Sequence, residues 1–195
     1  AYSQTTGVWL RGILAEAHGL HAKDVRWVTF EDAHVAEYRD PPWVERAPLG
    51  ADLLDMLRRG ALDAVIVGND VPDDPALRTV FPDPTASGQA FWRKHGVVPI
   101  NHMVIVSSDL AGPRPDLVRD LVRMFREAQA ADAGIAKGAT CATDAAALTC
   151  ALELAVRYAV EQGLLPRTLS VAELWAQAPD TQGSAGASER TPRLG

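Results

Sequence analysis

Two apolar runs, "VRWVTF" at residues 25–30 and "LDAVIVG" at 62–68, constrain this chain more than any other feature. Each is short and rich in β-branched residues, the pattern of a strand covered on both faces. Helical periodicity precedes the first run over residues 7–18, with Gly19 as the expected C-cap. The amphipathic stretch "ADLLDMLRRG" at 51–60 separates the two and stops at Gly60. Helix, strand, loop, helix, strand is an α/β rhythm. A crossover containing helix 51–59 predicts the two runs as parallel neighbours in one sheet.

The same alternation continues. "SGQAFWRKHG" (87–96) reads as a short helix and "NHMVIVSSDL" (101–110) as a third strand. Residues 114–136 read as a helix with Leu117, Leu121, Val122 and Phe125 on one stripe. A further helix is expected over 144–164, ended by Gly163 and Pro166, and a short one over 170–177, capped by Ser170. Residues 31–50 and 69–85 read as loops, and the tail 178–195 has the composition of a disordered end.

With 47% hydrophobic residues the chain of 195 can bury a core, and its net charge of −6 argues against nucleic acid or an anionic membrane as partner. No apolar run reaches the ~20 residues of a membrane-spanning helix. Cys141 and Cys150 would lie on opposite faces of a helix and could not pair. Two cysteines in a chain of this size suggest a reducing compartment. The expected location is cytoplasmic, or periplasmic if a leader precedes Ala1.

Ligands of open parallel sheets bind beyond the carboxyl ends of the strands, and three polar clusters fall there. Ser3, Gln4, Thr5 and Thr6 stand just ahead of the first helix, with Thr5 or Thr6 as its N-cap. Hydroxyls, free N–H groups and the positive end of the helix dipole make such a start an anion cradle. Glu31, Asp32 and His34 follow the first strand directly, dense enough for acid–base chemistry. Asn69 and Asp70 follow the second. Asn101 and His102 stand at the entry to the third.

Trp27 is expected in the core, whereas Trp43, beside Pro42, is the best candidate to stack on an aromatic ligand. His18, His21 and His95 read as surface residues. Arg11 lies more than a turn into its helix and falls outside the cradle. No metal site and no cofactor are expected. His34 with Glu31 or Asp32 could supply two or three ligands, but no HxH or HExxH spacing supports them.

Four stretches carry a resemblance: "AYSQTTGVWLRGIL", "WVTFEDAHVAEYRDPP", "GALDAVIVGND" and "FWRKHGVVPINHMVIV". Together they resemble the 4,5-dihydroxyphthalate decarboxylase family, within the wider type II periplasmic-binding-protein fold. The first two stretches are specific to the decarboxylase-like branch, and the third is generic to the superfamily. The resemblance implies two α/β lobes with a ligand cleft between them. Residues 1–100 would form the second, inserted lobe and residues 101–177 a mostly helical return to the first. It also implies a segment ahead of the SQTTG stretch that builds half of the first lobe.

The implied partner is a small aromatic or organic anion, with a homo-oligomer left open. The implied reaction takes 4,5-dihydroxyphthalate to 3,4-dihydroxybenzoate and CO2. Chemistry and position assign Glu31 or Asp32 as base, His34 or His102 as acid, and Ser3 to Thr6 as carboxylate cradle. The competing expectation is a solute-binding protein of an ABC transporter for sulfonates, nitrate or phthalates. The carboxylates of "EDAH" set the two apart, since a pure anion receptor gains little from them.

Overall fold

The computed structural model describes residues 1–68, 72–131 and 145–175. In chain order these residues form α1 (Thr5–His18), a 3-10 turn (Ala22–Asp24), β1 (Trp27–Thr29), β2 (Val44–Arg46) and α2 (Leu53–Arg58). α3 (Pro84–His95), α4 (Ser108–Ala111), α5 (Pro115–Ala131), α6 (Ala145–Glu161) and α7 (Val171–Trp175) follow. The class is α/β, mostly helical, with one small parallel sheet. Among the described residues no helix is long and apolar enough to cross a membrane.

The helix ends follow local chemistry. Gly19 closes α1 in the left-handed region at φ 66°, and its N–H donates to the Ala15 carbonyl at 2.9 Å. The opening of α1 departs from expectation. Gln4, in extended conformation, is the N-cap, with no side-chain cap bond, and Thr5 and Thr6 are already helical. Asp52 caps α2 through the Asp55 N–H, and Asp83 caps α3 through the Ala86 N–H, both at 2.8 Å. Pro84 at the first position starts α3 three residues earlier than expected. Ser170 and Glu173 form a reciprocal capping box on α7.

The sheet corrects the expected pairing. β1 occupies the middle of the first apolar run, but its parallel neighbour is β2, from within the stretch read as loop. Trp27 pairs with Val44, Val28 with Glu45 and Thr29 with Arg46. Residues 62–68 form no strand and are half exposed, Ile66 included. Residues 101–107 form none either, and Val104 and Ile105 are 65% and 90% exposed. A strand is defined by the partner that takes up its N–H and C=O groups. Among the described residues nothing offers these two segments that ladder, so strand-like sequence stays extended and wet. The apolar stripe of α5 is likewise unburied, with Leu117 and Phe125 at the surface. Residues 132–136 of that expected helix, Cys141 and the tail 178–195 lie outside the described residues.

The core forms where α1 crosses α6. Trp9, Phe91, Val97, Ala151, Leu154 and Tyr158 pack together, with the Trp9 ring edge-on to both Phe91 and Tyr158. The approach is close because residue 12 is glycine: a Cβ there would sit 2.2 Å from the Tyr158 ring. Glu16 ties the same helices together at one rim. Its carboxylate accepts from Lys94 and His95 at 2.7 Å each, and from Arg157. His95 is therefore no surface residue; its side chain is 14% exposed and its ring packs on Phe91. Partial burial pushes the Glu16 carboxyl up, but the hydrogen bonds from Lys94, Arg157 and His95 outweigh it and hold the group at about 2.

Two outcomes are expected. Gly12→Ala forces the Tyr158 ring or the helix axis to move, and urea unfolding should show a loss of about 2–3 kcal/mol. Because the Glu16 pKa is depressed, its contribution is full above pH ~4.5 and fades as pH falls toward about 2. Discounted for the half-exposed Lys94 and Arg157, that contribution is ~2 kcal/mol. A Glu16→Gln variant should be less stable than the parent by that amount at pH 7 and equal to it near pH 2.

Candidate functional site

The turn ahead of α1 opens into a cavity of about 420 Å³. It is lined by Ser3, Gln4, Thr5 and Thr6 together with His34, Asn101 and His102. Three separate segments meet here. α1 brings its N-terminus, where the first N–H groups have no helical acceptor. The β1–β2 connection, residues 30–43, brings His34. The extended stretch before α4 brings Asn101 and His102. That stretch is anchored by the Trp9 indole, which donates to the Ile100 carbonyl at 2.8 Å. The chamber therefore offers amide, hydroxyl and two imidazoles toward one anionic or polar ligand.

A second chamber of about 590 Å³ adjoins the first and shares Ser3, Thr5 and Asn101 with it. Its remaining walls are nearly all apolar, among them Val35, Ile100, Met103, Leu152 and Leu165.

The acidic members of the "EDAH" cluster part company. Glu31 accepts a hydrogen bond from Gln4 Nε2 at 3.3 Å and so stands at the rim of the polar chamber. Asp32 turns outward, 97% exposed, to pair with Arg46 at 3.2 Å. Trp43 does not line either chamber. Its indole N–H donates to the Tyr2 hydroxyl at 3.0 Å and its ring covers Gly163, where an added Cβ would lie 3.1 Å away. It is a packing residue, not a stacking platform. Asn69 and Asp70 lie outside the described residues. His18 and His21 are exposed and away from both chambers. Among the described residues no three His, Cys, Asp or Glu side chains gather as a metal site would need.

Beneath the cradle lies a buried arginine whose role the sequence did not reveal. Arg11 is 3% exposed, and its side chain folds back along α1 over Gly7, where a Cβ would meet the guanidinium at 2.8 Å. Its Nε donates to Gln162 Oε1 at 2.7 Å and its other amine to the Tyr2 carbonyl at 2.6 Å. The guanidinium also lies on the Tyr2 ring, 3.9 Å from the centroid. Gln162 completes the frame by donating to the Val8 carbonyl at 2.8 Å, and Tyr2 donates to the Gln162 carbonyl at 3.1 Å. No carboxylate among the described residues forms an ion pair with Arg11.

Burial lowers the Arg11 pKa to about 10, with Tyr2, Tyr38 and Asp40 acting in the opposite sense, so the group stays charged at neutral pH. Burial likewise pushes the Tyr38 phenol up to about 12 and keeps it neutral. A fixed positive charge thus underlies the N-terminus of α1 and adds to its dipole. One pattern in the sequence points this way: a Gly four residues ahead of an Arg on one helix.

No protein-family model matches the chain. Two curated proteins, each named 4,5-dihydroxyphthalate decarboxylase, are similar to it. The one from Comamonas testosteroni is 29% identical over 147 residues, which is 66% of this chain and 42% of the relative. The one from Pseudomonas putida is 35% identical over 104 residues, 47% of this chain and 40% of the relative. The relationship is distant, and the chain spans about two-fifths of the length of these relatives.

Removing the guanidinium leaves Gln162 Oε1 and the Tyr2 carbonyl buried without a donor. Arg11→Met should therefore lower stability by about 2–4 kcal/mol in urea unfolding. Arg11→Lys, which keeps the charge but cannot span both acceptors, should recover only part. Parent-like stability in both variants would show that the network does not hold the cradle.

Proposed function

We propose that the polar chamber binds the carboxylate of a hydroxylated aromatic acid and that the protein removes one carboxyl group as CO2 without oxidation. The observation that carries this reading is the meeting of the α1 start, His34 and His102 in one cavity, with Glu31 at its rim. The similarity to proteins named 4,5-dihydroxyphthalate decarboxylase supports the reaction class. On the same reading the chain is the second lobe, residues 1–100, and part of the first lobe of a type II periplasmic-binding-protein-like fold.

The chemistry follows from the ring. In 4,5-dihydroxyphthalate one hydroxyl is para to the carboxylate that leaves. Glu31 takes that phenolic proton, and the oxygen's electron pair moves through the ring to the carbon bearing the carboxylate. The imidazolium of His34 protonates this carbon. The C–C bond then breaks, its electrons restore the aromatic ring, and CO2 departs. The phenolate recovers its proton from Glu31, and His34 is reprotonated from solvent. Ser3, Thr5, Thr6 and the free N–H groups of α1 hold the carboxylate that stays, with Arg11 beneath them. His102 and Asn101 orient the hydroxyls.

One observation favours a second reading. Asp32 is engaged with Arg46 outside the chamber, so a single carboxylate remains at the rim. A receptor for small organic anions would show the same cradle and would need neither acid nor base.

Turnover is measured by CO2 release and ring absorbance with 4,5-dihydroxyphthalate, and binding by calorimetry. His34→Ala should lower kcat about 10²–10⁴-fold with little change in binding, as expected for a group that acts in the transition state. Ser3→Ala and Thr5→Ala should mainly raise KM. Tight binding without CO2 release by the parent would favour the receptor. Loss of turnover in His102→Ala but not in His34→Ala would assign the acid to His102.

A further inference from the structure

The apolar chamber is left unexplained by a dihydroxyphthalate. That molecule carries polar groups at four of its six ring carbons and has no apolar substituent to place. Yet the second chamber is the larger of the two, about 590 Å³ against 420 Å³, and either alone falls in the range of a small-ligand site. It is not a separate feature. Ser3, Thr5 and Asn101 belong to both chambers, so a ligand held by the cradle faces the apolar walls directly.

The same connection serves both sides, with His34 on the polar chamber and its neighbour Val35 on the apolar one. Val35 and Met103 keep 60% and 43% of their surface in water. Covering such side chains with an apolar group releases that hydration and is favourable in proportion to the area.

We propose that the second chamber is a subsite for an alkyl or aryl group carried by the same ligand, so that this protein selects an aromatic acid with an apolar substituent over the bare dihydroxyphthalate. This rests on the assignment of the carboxylate to the polar chamber, and the test separates the two.

The 195-residue chain is titrated by calorimetry with benzoate, 4-ethylbenzoate and 4-butylbenzoate, and with neutral 4-butylbenzyl alcohol. Affinity should rise about threefold to fourfold for each methylene that enters the chamber, and the neutral alcohol should bind more weakly than 4-butylbenzoate. Val35→Asn and Met103→Gln place a neutral polar group on exposed wall positions and leave the core intact. Each should bind benzoate as the parent does and lose about tenfold or more of the affinity for 4-butylbenzoate. Equal affinity along the benzoate series would overturn the subsite and leave the carboxylate cradle standing. Binding of the alcohol as tight as that of 4-butylbenzoate would also overturn it, because the chamber would then act without the cradle. Failure of every benzoate to bind would remove the cradle and the subsite together.

Discussion

The close crossing of α1 and α6 is the constraint on which the rest depends. Glycine at position 12 lets the Tyr158 ring lie against the α1 backbone, and this fixes the distance between the two helices. That distance in turn sets where Trp9 can sit, and Trp9 holds the stretch around Ile100 through its indole N–H. Asn101 and His102 follow at once in sequence. The stretch carrying Asn101 and His102 is therefore positioned through an apolar helix crossing and a single indole hydrogen bond. A helix–helix crossing is stiff because both partners are internally hydrogen-bonded, so small residues at the crossing translate into a defined geometry several residues away.

On the other side of α1 the logic is electrostatic. A buried guanidinium without a carboxylate partner is expensive unless its donors are met and its charge is useful. Arg11 has its donors met by a carbonyl, a side-chain amide and an aromatic face, none of which cancels the charge. The field that results is directed along α1 toward its start, where the helix dipole has the same sign. A chain of net charge −6 in this way keeps one buried cation near the start of α1.

Much of this was legible in the sequence, and the failures share one cause. Helix limits marked by Gly19, Gly60, Gly163 and Ser170 follow from one or two residues each, and the structure places them within a few positions of expectation. The structure also brings Ser3 to Thr6, His34, Asn101 and His102 to one cavity. The expected strands at 62–68 and 101–110 were read from composition, but a strand exists only with a neighbour, and neighbours are a property of the whole sheet. Trp43, an indole beside a proline, packs on partners distant in sequence. Its partners, Tyr2 and Gly163, lie 41 and 120 residues away in sequence. Position along α1 alone does not reveal Arg11, because a long side chain can run back along the helix when residue 7 lacks a Cβ.

The connection between β1 and β2 is stitched to itself: Arg39 donates to the Ala36 and Tyr38 carbonyls, and the Tyr38 N–H reaches the Val35 carbonyl at 3.1 Å. His34 and Val35 are neighbours on this one piece of chain, the first lining the polar chamber and the second the apolar one. Insertions or deletions that shift this piece would displace both at once. Across a lineage, changes in what is accepted and changes in how fast it is processed would then be inherited as a linked pair. New preferences would arise more readily along α6, which carries neither imidazole, at Leu152 or Ala155.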